Sequence, residues 1–105
     1  MADEYYKAII SATSEREAKA ILKALLNKRL VAGGLIVKGP SLYWWKGKIV
    51  EEIYYNLSVY TILKKRDEII NVVEGMCKDE VSIIEFHRID YGNKGFLRWI
   101  DEYTK

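Results

Sequence analysis

Apolar and polar residues alternate from Tyr5 to Ala12, with Tyr6, Ala8 and Ile10 on one side and Tyr5, Lys7 and Ile9 on the other. A period of two marks a strand. The period then lengthens. Ser14 is followed three residues later by Glu17, the spacing of a capping box, and Ala18, Ile21, Leu22, Leu25 and Leu26 recur at helical intervals. Together they predict a helix running to about Leu30. Gly33-Gly34 breaks it. Leu35-Ile36-Val37 reads as a short apolar strand, Gly39-Pro40 as a sharp turn, and Leu42–Trp45 as another strand closed by a turn at Lys46-Gly47.

The segment Ile49–Leu63 carries the most information. Its odd positions Ile53, Tyr55, Leu57 and Val59 form an apolar stripe, while Tyr54, Asn56, Ser58 and Tyr60 form a face of aromatics and polar groups. At about 3.3 Å per residue such a strand is ~50 Å long, where five or six residues are usual. It overshoots any sheet that 105 residues can build. A bulge that bends it, a second chain that pairs with its ends, or both are therefore expected. Lys65–Met76 reads as a second helix with Ile69, Val72, Val73 and Met76 on one side, and Val81–Ile89 is β-rich. Tyr91-Gly92-Asn93 turns the chain into a last helix, where Phe96, Trp99, Ile100 and Tyr103 follow at i, i+3, i+4 and i+7.

The order is β-α-β-β-α-β plus a C-terminal helix, with an extra hairpin in the middle. Helices that cross between non-adjacent strands of one antiparallel sheet give an α+β, ferredoxin-like sandwich. Both main helices then cover one sheet face and leave the other bare. That face would carry Tyr54, Tyr60 and one or two of Tyr43, Trp44 and Trp45. An exposed aromatic patch of this size marks a binding surface, and another copy of the chain is its most economical cover.

Composition narrows the function. A chain of 105 residues is one domain, residues 1–105. A net charge of +2 is too slight to demand a polyanionic partner, and Lys64-Lys65-Arg66 reads as a solvated helix start. Tyr5–Ala12 is too short and polar for a signal-peptide core, and no apolar run approaches ~20 residues. One cysteine, Cys77, excludes an internal disulfide and a CxxC metal pair. A soluble, cytoplasmic protein with no membrane partner is expected. No GxSxG, HExxH, P-loop or GxGxxG motif occurs, so no enzyme is expected. RNA-recognition domains share this element order, but their basic-Gly-aromatic strand signature is missing, and no nucleic-acid partner is expected.

Metal binding needs several lone-pair donors within roughly 2.0–2.5 Å of one ion. The soft donors are Met76, Cys77 and His87; Asp79 and Glu80 offer carboxylates. Glu85 and His87 lie two apart on one strand and so project to one face, where a surface ion pair competes with chelation. Lys46-Gly47-Lys48 has an anion-binding reading, although a tight turn accounts for its glycine.

The runs LLNKRLVAGG (Leu25–Gly34), YWWKGKIVEE (Tyr43–Glu52) and GNKGFLRWIDE (Gly92–Glu102) resemble the CutA proteins, the divalent-cation tolerance family. The resemblance covers nearly the whole chain. It implies a ferredoxin-like subunit in a tight homotrimer joined through its sheets, PII-like in shape and linked to copper tolerance and divalent-ion binding, with copper or zinc as the candidate cofactor. It implies an interface at Tyr43, Trp44, Trp45, Tyr54 and Tyr60, and a cleft at Gly33, Lys46 and Thr61. The departures fall on that cleft. Gly33 stands where the family has Cys, Leu35 where it has Asn, and Tyr60 where it often has Lys. Of the family's His-Pro-Tyr-Glu-Val-Pro-Glu, Cys77–Ile83 keeps Glu80 and Val81. The fold and trimer therefore carry over from the resemblance and the family's metal chemistry does not; the candidate metal donors read from the residues themselves are Glu80, Cys77, Asp79 and His87. A trimeric scaffold or small-ligand signalling module without the metal site is the alternative.

Overall fold

β1, Tyr5–Ala12, lies inside a four-stranded antiparallel sheet of order β2-β3-β1-β4, in a computed structural model that describes residues 4–105. The first three residues of the expected domain lie outside the described residues. β2 is Gly33–Trp45, β3 is Lys48–Ile62 and β4 is Ile84–Arg88. α1 (Glu15–Asn27) joins β1 to β2, α2 (Arg66–Met76) joins β3 to β4 after a 3-10 turn at Leu63–Lys65, and α3 (Lys94–Tyr103) closes the chain. The architecture is the expected α+β, ferredoxin-like one.

The registers assign the faces. Ala8 lies opposite Val59 and Ile10 opposite Leu57, so these four share one side of the sheet. α1 and α2 cover that side, where Ala18, Ile21, Leu25, Ile69 and Val73 pack onto the strand residues in one core. Fully burying each Ile, Leu or Val side chain among them stabilises the fold by about 1.5–3 kcal/mol, and each alanine methyl by less. Thr61, also fully buried, donates its hydroxyl to Leu30 O at 2.6 Å, which satisfies both groups away from water.

α1 begins as expected. The Ser14 hydroxyl accepts the Glu17 N–H at 3.1 Å, which satisfies one free N–H of the first turn. It ends at Asn27 rather than Leu30. Arg29 takes a left-handed conformation (φ 59°), with Arg29 N–H bonded to Leu26 O and Leu30 N–H to Leu25 O. This is a Schellman motif. The apolar spacing that carries the expected helix on to Leu30 reflects its contact with the core beyond the helix end.

Three expectations about strands are corrected. Gly39-Pro40 is no turn; β2 runs through it unbroken, with Gly39 opposite Tyr54 and Pro40 opposite Ile53. An edge strand tolerates a residue without an N–H, and β2 is the edge. The extra hairpin is therefore not a separate unit but the far end of one long β2–β3 ribbon. β3 has no bulge, since each residue from Lys48 to Tyr60 meets one β2 partner in continuous register. Lys46 (φ 50°) and Gly47 (φ 78°) close it as a two-residue left-handed turn whose twist suits the strands. β4 starts at Ile84 rather than Val81: one step beyond the Ile10–Ile84 pair, the Ile83 N–H goes to the Ser11 side-chain hydroxyl at 3.2 Å instead of to a β1 carbonyl, and the backbone ladder ends there.

α3 lies on the opposite face at one end. Its Ile100 is buried with Tyr5 and Ile62, and the Tyr60 ring sits edge-on to Phe96 (5.1 Å) and Trp99 (6.2 Å). The second face is thus bare only in part. Tyr60, expected on the exposed surface, is covered by the chain's own last helix.

Candidate functional site

Beyond the Ala12–Tyr55 pair, β1 ends and the β2–β3 ribbon continues alone. Seven pairs, from Gly39–Tyr54 to Trp45–Lys48, have no third strand beside them. At about 3.3 Å per residue this extension projects by roughly 23 Å. The described residues accordingly span 46 Å along one axis and 25 Å and 20 Å along the others.

Alternation sends Tyr43, Trp45, Val50, Glu52 and Tyr54 to the face that α3 covers farther along. Leu42, Trp44, Ile49 and Ile53 go to the helix-side face, past the reach of α1 and α2. Those four are open to solvent, with Trp44 71% and Ile49 63% exposed. A lone two-stranded ribbon is marginal in water, and an unpaired edge bearing exposed apolar residues is a template for another chain.

On the opposite face lies an open groove of about 1170 Å³. Ser11, Asn56 and Ser58 line its floor, Tyr43 and Tyr54 its hairpin side, and the loop from Lys78 to Ile83 its other wall. The Tyr43 and Tyr54 rings meet edge-to-face at 5.8 Å. Tyr54 donates to Asp79 Oδ2 at 2.7 Å and Tyr43 to Glu52 Oε2 at 2.9 Å. Burial, followed by the Asp79 carboxylate that accepts its proton, pushes the Tyr54 phenol well above its usual value. For Tyr43 the neighbouring Tyr54 hydroxyl favours ionisation, but the Glu52 carboxylate and desolvation oppose it, and the phenol is also raised. Both phenols are hydrogen-bond donors at neutral pH.

The expected metal donors are placed apart. Cys77 caps α2, with its thiol 4.0 Å from both Ser11 O and Glu17 Oε1. Asp79 is engaged by Tyr54, and Glu80 lies 4.0 Å from Lys46 Nζ at the hairpin tip. His87 pairs with Glu85 at 3.4 Å on β4, on the shared face that their spacing predicts. Among the described residues no three His, Cys, Asp or Glu side chains converge on a point. The donor set of one chain does not fit a resident divalent ion.

The expected cleft residues also separate. Thr61 is sealed in the core. Gly33 lies under Trp99, where a Cβ would come within 2.8 Å of the ring. Lys46 alone stands at the hairpin tip, its ammonium 5.9 Å from the Trp45 ring centre. Sequence reasoning missed Glu17 and Ser11, which hold the groove's loop wall, and Leu42, Ile49 and Ile53, which complete the apolar patch around Trp44. The shared face of Leu42, Trp44, Ile49 and Ile53 follows from alternation once the register across Lys46-Gly47 is known.

The model of the CutA1 divalent ion tolerance protein family matches residues 7–103. The chain is 38% identical to the divalent-cation tolerance protein CutA of Archaeoglobus fulgidus over 89% of its own length and 91% of that protein's. It is 34% identical to the protein of that name from Thermus thermophilus, over 91% and 94%. The solved structure described as the periplasmic divalent cation tolerance protein CutA from A. fulgidus superposes with a TM-score of 0.93 at 35% identity, covering 96% of this chain and 99% of that one.

Proposed function

The chain belongs to the CutA1 divalent ion tolerance family, and we propose that it acts as a homotrimeric, non-catalytic, PII-like protein in tolerance of divalent metal ions, copper among them. The observation that carries the assembly is the ribbon extension, apolar on its helix-side face, aromatic on the other, and flanked by no third strand. Copies packing there would bury Tyr43, Trp44, Trp45 and Tyr54 and satisfy backbone groups that a single chain leaves to water. Tyr60 takes a different role, seating α3 within its own chain.

Since the candidate donors are each tied to a neighbour within the chain, an ion would have to be held between copies. Asp79, Glu80 and Lys46 beside the extension are the groups nearest such a boundary. The same pairing favours the second reading, a trimeric scaffold or small-ligand module without the family's metal site. Titration calorimetry with Cu²⁺ and Zn²⁺ separates them. Stoichiometric heat that is lost in Glu80→Gln or Cys77→Ser supports ion binding; no heat supports the scaffold.

Sedimentation tests the assembly itself. The wild type is expected as a trimer at micromolar concentration, and Ile49→Asp or Tyr54→Asp as single chains. A wild type that sediments as one chain removes the proposal. The cytoplasm is the compartment proposed, although the A. fulgidus structure is described as periplasmic; cell fractionation decides it. Among the described residues no helix is long and apolar enough to cross a membrane.

A further inference from the structure

Between α2 and β4 the chain from Cys77 to Ile83 has no regular structure, yet both its ends are fastened. At the far end Ser11 accepts the Ile83 N–H on its hydroxyl at 3.2 Å and donates its own N–H to Ile83 O at 3.0 Å. At the near end stands Glu17, a carboxylate 7% exposed in the first turn of α1. Four donors reach it: Thr13 N–H at 2.9 Å, the Thr13 hydroxyl at 3.3 Å, Lys78 N–H at 3.1 Å and, more distantly, the Cys77 thiol at 4.0 Å.

A capping box returns the glutamate to the N–H of its own cap residue, here Ser14. Glu17 instead bonds one residue earlier and, with its second oxygen, across to the backbone after α2. A buried carboxylate is costly unless its lone pairs are filled, so the loop backbone at Lys78 is held where the carboxylate needs it. The next residue, Asp79, receives the Tyr54 hydroxyl, and Glu80 meets Lys46 at the tip. One path of contacts therefore runs from the start of α1 through Lys78 and Asp79 to the extension.

We infer that Glu17 is a positioning residue for the projecting hairpin: through the Lys78 N–H it fixes the backbone that presents Asp79 to Tyr54, and so sets the angle at which the extension leaves the sheet. The consequence for association rests on the proposed role of the extension in assembly; the positioning does not.

Amide hydrogen exchange tests it in four variants of the full chain. Glu17→Gln keeps the shape and one acceptor but not both. Lys78→Pro removes the donor and leaves Glu17 untouched, and Cys77 before it (φ −70°, ψ 135°) already has the backbone that precedes a proline comfortably. Either change is expected to speed exchange at residues 48–54 roughly tenfold or more, since hydrogen bonds to charged groups contribute on that scale. Exchange at residues 55–62 should not change. Asp79→Ala should give the same pattern, and Glu17→Gln with Asp79→Ala no more than Asp79→Ala alone. Effects that multiply in the double variant would overturn the inference. So would unchanged exchange at residues 48–54 in both Glu17→Gln and Lys78→Pro. If Glu17→Gln also exposes residues 55–62, it has loosened the whole domain, and Lys78→Pro decides. Sedimentation of the same variants reads the consequence separately: a wild type found as single chains would end the assembly proposal while exchange still judges the positioning.

Discussion

The two halves of β3 share one ladder and one alternating pattern, but their surroundings differ completely. From Tyr55 to Ile62 the strand has β1 on one side, β2 facing most of it on the other, two helices above and α3 below its end. From Lys48 to Tyr54 it has β2 as its one strand neighbour among the described residues, and the loop after α2 touches it at Tyr54. In the first half a residue's hydrophobicity contributes to folding. In the second it is left at the surface, where Ile49 and Ile53 face water. Hydrophobic patterning specifies which face of a strand is apolar, and the number of layers around it decides whether that face is used within the chain or offered outside it.

The largest break in this contrast is expected from Leu57→Ala. Leu57 is fully buried at the centre of the first half, and its loss should cost about 2–5 kcal/mol in denaturant unfolding. A cost below about 1 kcal/mol would mean that the two halves are not energetically distinct.

Tyr54→Phe probes the boundary. Removing a partly buried hydrogen bond to Asp79 should cost about 1 kcal/mol, local to the extension. The pH dependence has a definite sign. Because the fold raises the phenol's pKa above 10.0, the contribution is fully present below pH 10 and is lost as pH rises beyond it, since the opened state releases the proton first. Exchange at residues 48–54 should therefore accelerate above pH 10 beyond its intrinsic rate in the wild type, and this excess should shrink in Tyr54→Phe to the part that the more exposed Tyr43 contributes. The same excess in both proteins would assign it to another group.

The smallest effect on the chain itself should come from Trp44→Ser. An exposed side chain contributes little within the fold, so unfolding of the dissociated chain should shift by no more than about 0.5 kcal/mol. Its sedimentation should nevertheless move toward lighter species. A stability loss of several kcal/mol in the single chain would show that Trp44 already has cover.

Much of the fold was legible because local physics fixed it. Alternation placed β1 with its observed ends, and the Ser14 cap and helical spacing placed the start of α1. Lys46-Gly47 was legible because a two-residue hairpin needs left-handed backbone, which glycine supplies. Gly39-Pro40 misled for a tertiary reason: a turn signal yields when the strand on each side finds one continuous partner, and an edge position removes the penalty on proline. Leu30 misled because a Schellman end returns an apolar residue to the same core without a helix. At the site, Glu85 and His87 were found by spacing alone, whereas Glu17 and Lys78, 61 residues apart, were not. No local period links them.

By itself the sequence determined the element order, the apolar face of each strand and the family to which the chain is related. It did so because periodicity and turn chemistry are properties of neighbours along the chain. Tertiary structure alone decided that α3 covers Tyr60 and Gly33, that the candidate ligands point to different partners, and that β2 runs unbroken through Gly39-Pro40 beside the over-long strand. Those outcomes depend on where layers stop and which distant groups meet, and burial is settled by what lies across the fold.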